Sequence, residues 1–146
     1  MSLIDYNQTL EDLRTVLKKN LVANGFNFDV KIVSRTEKTQ DEINDDEGFV
    51  IIPSTDTLIE SYASRDELRD WEVLIVAYIS RHDVEIQVEK YKQDLVRNLN
   101  KEYAFPPEPV NSVEVSTVTQ SALLDEFHEA SLVLTAKFEY ILEREV

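Results

Sequence analysis

The last alternating run of the chain, "EASLVLTAKFEYILEREV", limits the possible folds more than any other segment. Every second residue from Ala130 is apolar: Ala130, Leu132, Leu134, Ala136, Phe138, Tyr140 and Leu142. The residues between them are mostly polar, with Val133 and Ile141 as exceptions. Alternation of this kind places the two sets on opposite faces of a strand, one of them buried. Ala130 to Glu143 is 14 residues, and at about 3.4 Å per residue that run reaches ~48 Å. A single domain of 146 residues is only about 38 Å across. Either the strand bends or bulges inside one domain, or it projects and packs on a neighbouring copy.

Two stretches carry helical spacing instead. Leu10, Leu13, Leu17 and Leu21 form one apolar stripe, with Val16 beside it and Glu11, Arg14, Lys18 and Lys19 turned outward. The spacing predicts a helix of about five turns, stopped by Asn24-Gly25. Val84, Val88, Tyr91, Leu95 and Leu99 define a second helix, with Asp83 as its N-cap and "PPEP" at 106–109 as its stop.

Between and around them lie strands. "FNFDVKIV" (26–33) alternates, and "FVII" (49–52) is a short buried strand that Pro53 is expected to end. Residues 71–80, "WEVLIVAYIS", are apolar on both faces, which marks a central strand. "NSVEVSTVTQ" (111–120) precedes the final strand, with "SALLDEFHE" as the turn between them. The order helix-strand-strand-strand-helix-strand-strand lacks a βα repeat. It predicts an α+β domain over 1–146, a mixed or antiparallel β-sheet packed against two α-helices. Ser34 to Gly48 reads as a mobile acidic loop, and 53–70 as a second polar connection.

Composition narrows function. Fifteen Lys and Arg against 29 Asp and Glu leave a net charge of −14, which opposes a phosphate-gripping or anionic-membrane surface. The absence of Cys excludes disulfides, thiolate metal sites and Cys nucleophiles. With glycine only at 25 and 48, no phosphate loop, dinucleotide fingerprint or nucleophile elbow can be written. The carboxylates between Asp41 and Glu47 do not follow the EF-hand pattern. His82 precedes Asp83 and reads as a surface or capping residue. His128 has Glu126 and Glu129 nearby, but adjacent strand residues face opposite ways, so no metal site is expected. No apolar run approaches a membrane span and no signal peptide opens the chain, so the sequence reads as cytoplasmic. This poverty of reactive groups favours a structural or interaction protein over an enzyme, with no cofactor.

The pattern resembles the tail terminator (tail completion) proteins of long-tailed bacteriophages. The likeness rests on "NQTLEDLRTVLKKNLVANGF", on "FVIIPSTD", on "RDWEVLIVAYISRHDVEIQVEKYKQDLVRNLNKE", and on the closing pair "NSVEVSTVTQ" and "ASLVLTAKFEYILE". It covers most of the chain as element order and hydrophobic pattern, not as an invariant motif. The resemblance implies a homohexameric ring in the virion, made in the host cytoplasm. Such a ring caps the tail tube, ends its polymerisation and meets the head-tail connector, and DNA passes its channel without tight binding. No catalysis or cofactor follows from it.

On that reading, Val133, Ile141 and Trp71 are candidates for subunit contact. Leu58, Ile59 and Tyr62, apolar residues in polar surroundings, are candidates for contact with tube or connector. Asp41, Asp45 and Asp46 are candidates for an acidic channel lining that lets DNA slide. A head-closure or neck ring is the nearest alternative, and an acidic DNA-mimic inhibitor of a nuclease is a more distant one.

Overall fold

The structure, a computed structural model, describes residues 4–30, 32–35, 48–80, 84–122 and 129–142. In chain order these form α1 (Tyr6–Lys18), a 3-10 turn (Val22–Asn24), β1 (Ile32–Ser34), β2 (Gly48–Ser61), β3 (Glu67–Ser80), α2 (Val84–Glu102), β4 (Val110–Ala122) and β5 (Glu129–Leu142). One five-stranded sheet runs β1-β2-β3-β5-β4. β1 pairs parallel to β2, and the other pairings are antiparallel. This is the expected α+β class, with the expected order of two helices and a mixed sheet.

The long final strand has its partner inside the chain. All of β5 pairs with all of β3 in unbroken register, from Glu67 opposite Leu142 to Ser80 opposite Glu129. β4 covers its other edge. The strand is long because β3 is equally long, so its length does not require a second copy.

One face of the sheet holds the core. Phe49, Ile51, Trp71, Val73, Ile75, Leu132, Leu134 and Phe138 face Leu10, Leu13 and Leu17 of α1 and Tyr91, Leu95 and Leu99 of α2 in one cluster. Burial of each such side chain contributes ~1.5–3 kcal/mol before entropy is counted. Asn98 of α2 donates from Nδ2 to the Val16 carbonyl at 3.0 Å, which ties the two helices together inside the core. Asp5 caps α1 by accepting from the Gln8 amide at 3.0 Å.

Several boundaries differ from the sequence expectation. α1 stops at Lys18, and Leu21 lies outside it; Gly25 (φ +89°) ends the 3-10 turn that follows. In "FNFDVKIV" the described strand residues are Ile32 and Val33, at the start of β1. Phe26 and Phe28 are buried and lie outside the described strands. The Asp94 carboxylate of α2 accepts from the Asn27 amide at 3.0 Å and the Phe28 amide at 3.3 Å instead. A carboxylate from the helix has replaced a neighbouring strand.

Pro53 does not end its strand. β2 continues to Ser61 through register shifts at Pro53/Asp56 and Leu58/Glu60. Proline is tolerated there because β1 pairs only with Gly48, Phe49 and Val50. Pro53 therefore sits where β2 has no described partner on its outer side. The connection expected at 53–70 is thus the outer half of a β2–β3 hairpin, closed by a turn in which Tyr62 N donates to Asp66 O at 2.9 Å. The expected acidic loop is shorter at both ends than 34–48, since Ser34 closes β1 and Gly48 opens β2. Its interior lies outside the described residues, as do Asp83, His82, His128 and most of the 121–129 turn.

Candidate functional site: the β2–β3 hairpin and the far face of the sheet

The outer half of the hairpin is polar and exposed, yet it is fastened to the body at one point. Asp56 faces the helix side because it stands opposite Trp71. Its Oδ1 accepts from Arg69 Nε at 2.7 Å. Its Oδ2 accepts from Tyr6 OH at 2.5 Å and also from Tyr140 OH. The two phenol oxygens are 2.7 Å apart. Arg69 is held on its other side by Glu67, at 3.1 Å. The ring of Tyr6 meets Trp71 edge-on, with centroids 4.5 Å apart. One carboxylate thus joins α1, β2, β3 and β5.

The electrostatics of this cluster follow from its geometry. Partial burial pushes the Asp56 carboxyl up, but the hydrogen bonds from Tyr140, Tyr6 and Arg69 outweigh it and leave it below its ordinary value. Burial raises the Tyr140 phenol far above the ordinary range, and its hydrogen bond to the Asp56 carboxylate adds to the effect. Tyr6 is raised by the same two causes in the same order. Asp56 raises the Arg69 guanidinium by accepting its hydrogen bond. The cluster is a proton-tight clamp, with both phenols held neutral and Asp56 held ionised.

Beyond the clamp the hairpin presents apolar side chains. Leu58 is 46 % exposed, Ile59 53 % and Tyr62 39 %. The structure brings these three sequence candidates together at one end of the hairpin, on strand and turn instead of on a loop. Val133 and Ile141 lie on the sheet face that neither helix covers, opposite Val76 and Leu68, and both are half-buried. Ile52 and Leu74 lie in the row next to Val133, whereas Ile141 and Leu68 form a separate apolar pair beyond the charged rows of Lys137 and Glu139.

Trp71 is a correction. It is 4 % exposed and packs between Tyr6 and Phe138, so it is a core residue and leaves the set of contact candidates. It stands in the same alternating set as Val73 and Ile75, which points to the helix side. Asp41, Asp45 and Asp46 lie outside the described residues. The clamp was not legible in advance, because its members are far apart in sequence. Phe105 is 92 % exposed just beyond α2, and no spacing in the sequence marks it.

Among the described residues no group of three or more His, Asp or Glu could hold a metal ion. No protein-family model matches this chain, and no curated protein matches it.

Proposed function

We propose that this protein is a self-associating structural subunit whose assembly is the hexameric ring capping a phage tail tube. The observation that carries the reading is the hairpin: Leu58, Ile59 and Tyr62 are exposed at its end, while the Asp56 clamp fixes its base. Apolar side chains presented on a rigid element suit a docking surface, since little conformational entropy is lost on binding. In this reading the hairpin end meets the tail tube protein or the head-tail connector. The half-buried Val133 and Ile141, on either side of the charged rows of that face, meet the neighbouring subunit. The charge of −14 repels the DNA backbone, so DNA passes the ring without sticking. The protein works in the virion by geometry, with no catalytic step and no cofactor.

Native mass spectrometry of the 16.9 kDa chain, alone and mixed with purified tail tubes, tests this. The expected result is a closed hexamer, and tubes that stop growing when the protein is added. A chain that stays monomeric at every concentration and leaves tube growth unchanged would overturn it. Deleting Thr57 to Ala63 is expected to abolish capping; capping that survives the deletion removes the hairpin from the contact.

A further inference from the structure

The outward face of α2 is basic on a strongly acidic protein. Lys92, Val96, Arg97, Asn100 and Lys101 line an open groove of about 690 Å³ along it, together with Glu89. Arg97 is engaged within the chain: its guanidinium donates to the Gly25 carbonyl and lies 4.7 Å from the Phe26 ring centroid. Lys92 and Lys101 have no ion-pair partner among the described residues. Phe105, almost fully exposed, stands just past the end of the same helix.

The opposite charge is found on the other side of the molecule. On the sheet face away from the helices, Asp70 of β3 stands directly opposite Glu139 of β5. In the next row, Glu72, Lys137 and Glu114 are register partners across β3, β5 and β4. Four carboxylates therefore share this band with one cation. Like charges placed directly opposite each other destabilise a sheet, and Asp70 and Glu139 have no ion-pair partner among the described residues. α2 packs on the helix side of the sheet through Tyr91, Leu95 and Leu99. Its outward cations cannot reach this band within one chain.

We infer that the outward face of α2 docks on the acidic far face of the sheet in a second copy of the chain. Lys92 and Lys101 then face Asp70 and Glu139 of that copy, in the band that separates Val133 from Ile141 on β5. The occupant is a second copy because the complementary charges belong to the same sequence, and Lys92, Lys101, Asp70 and Glu139 have no ion-pair partner among the described residues. The contact is heterologous: each copy offers the helix to one neighbour and the sheet to the other. Repetition closes a ring when the rotation allows. The inference rests on the self-association part of the proposed function and not on its phage setting.

A charge-swap pair tests it. One variant carries Lys92→Glu and Lys101→Glu; the other carries Asp70→Lys and Glu139→Lys. Circular dichroism confirms folding of each, and native mass spectrometry reads assembly. Each variant alone is expected to self-associate about tenfold more weakly or worse. An equimolar mixture is expected to recover assembly in alternating order, because each variant's altered surface then meets an attractive one. Raising salt is expected to weaken wild-type assembly. If the wild type assembles and the two variants assemble equally well, the inference fails while self-association stands. If both variants lose assembly and the mixture does not recover it, the two surfaces are not partners and the inference fails again. A wild type that never assembles, or that binds only a different protein through α2, overturns both the inference and the self-association beneath it.

Discussion

Asp56 accepts a hydrogen bond from Tyr140, 84 positions further along the chain, although β3 lies between their strands. The shift in register at Pro53/Asp56 brings the carboxylate to the helix side, opposite Trp71. There it also meets Tyr6 and Arg69. An exposed hairpin is thereby tied to the core at one residue.

Removing that tie is expected to cost stability. Tyr140→Phe deletes one hydrogen bond to a charged acceptor and should cost ~1.5–3 kcal/mol. Asp56→Ala also strips Arg69 and Tyr6 of their acceptor and should cost more. Urea denaturation of both variants gives the values. Equal stability of Asp56→Ala and wild type would show that the clamp contributes nothing.

The same cluster sets two pH limits. Asp56 is held below its ordinary value of 3.8. Its contribution is present above that pH and is lost as pH falls through the lower, folded value. Tyr140 and Tyr6 are raised above 10.0. Their contribution is complete below pH 10, and it declines above that pH as unfolded phenols ionise first. Melting temperature against pH is expected to fall at both ends, and Tyr140→Phe should flatten the alkaline limb. An alkaline limb identical in that variant would remove Tyr140 from the account.

Asp94 does for residues 26–28 what a strand partner would do. Asp94→Ala leaves the Asn27 and Phe28 amides without their acceptor beside the stacked rings of Phe28 and Tyr91. The expected loss is ~2–4 kcal/mol. Hydrogen exchange of those two amides should rise well before global unfolding. Protection left at the wild-type level would mean another acceptor takes over.

Trp71 and Ile141 should respond in opposite ways. Trp71→Ala empties a core position and should cost ~3–5 kcal/mol. Ile141→Asp alters the face outside the core and should leave a folded monomer whose self-association is lost. Circular dichroism with native mass spectrometry separates the two, and global unfolding of Ile141→Asp would place that residue in the core after all.

Gly48 opens β2 against β1. A Cβ there would lie 2.9 Å from the Ile32 carbonyl oxygen and 3.1 Å from Ile32 Cβ. Gly48→Ala is expected to push β1 off the sheet edge, at ~1–3 kcal/mol by overpacking. Thermal melts would show it; an unchanged melting temperature would mean that β1 adds little.

The alternation from Leu132 to Tyr140 and the spacing of Leu10, Leu13 and Leu17 determined on their own which of those side chains enter the core, whereas the run from Trp71 is apolar on both faces and the sheet decided that Trp71, Val73 and Ile75 face the helices. The reason is physical: burial repeats with the period of the backbone, so periodicity in the sequence reports it directly. Tertiary structure alone decided where β2 ends, what completes the backbone bonds of 26–28, and that β5 lies against β3. Pro53 suits an edge and would break an interior strand, and only the reach of β1 distinguishes the two cases. The clamp of Tyr6, Asp56, Arg69 and Tyr140, and the facing of Asp70 with Glu139, join residues that register brings together. Register depends on how whole strands pair, and no local spacing encodes it.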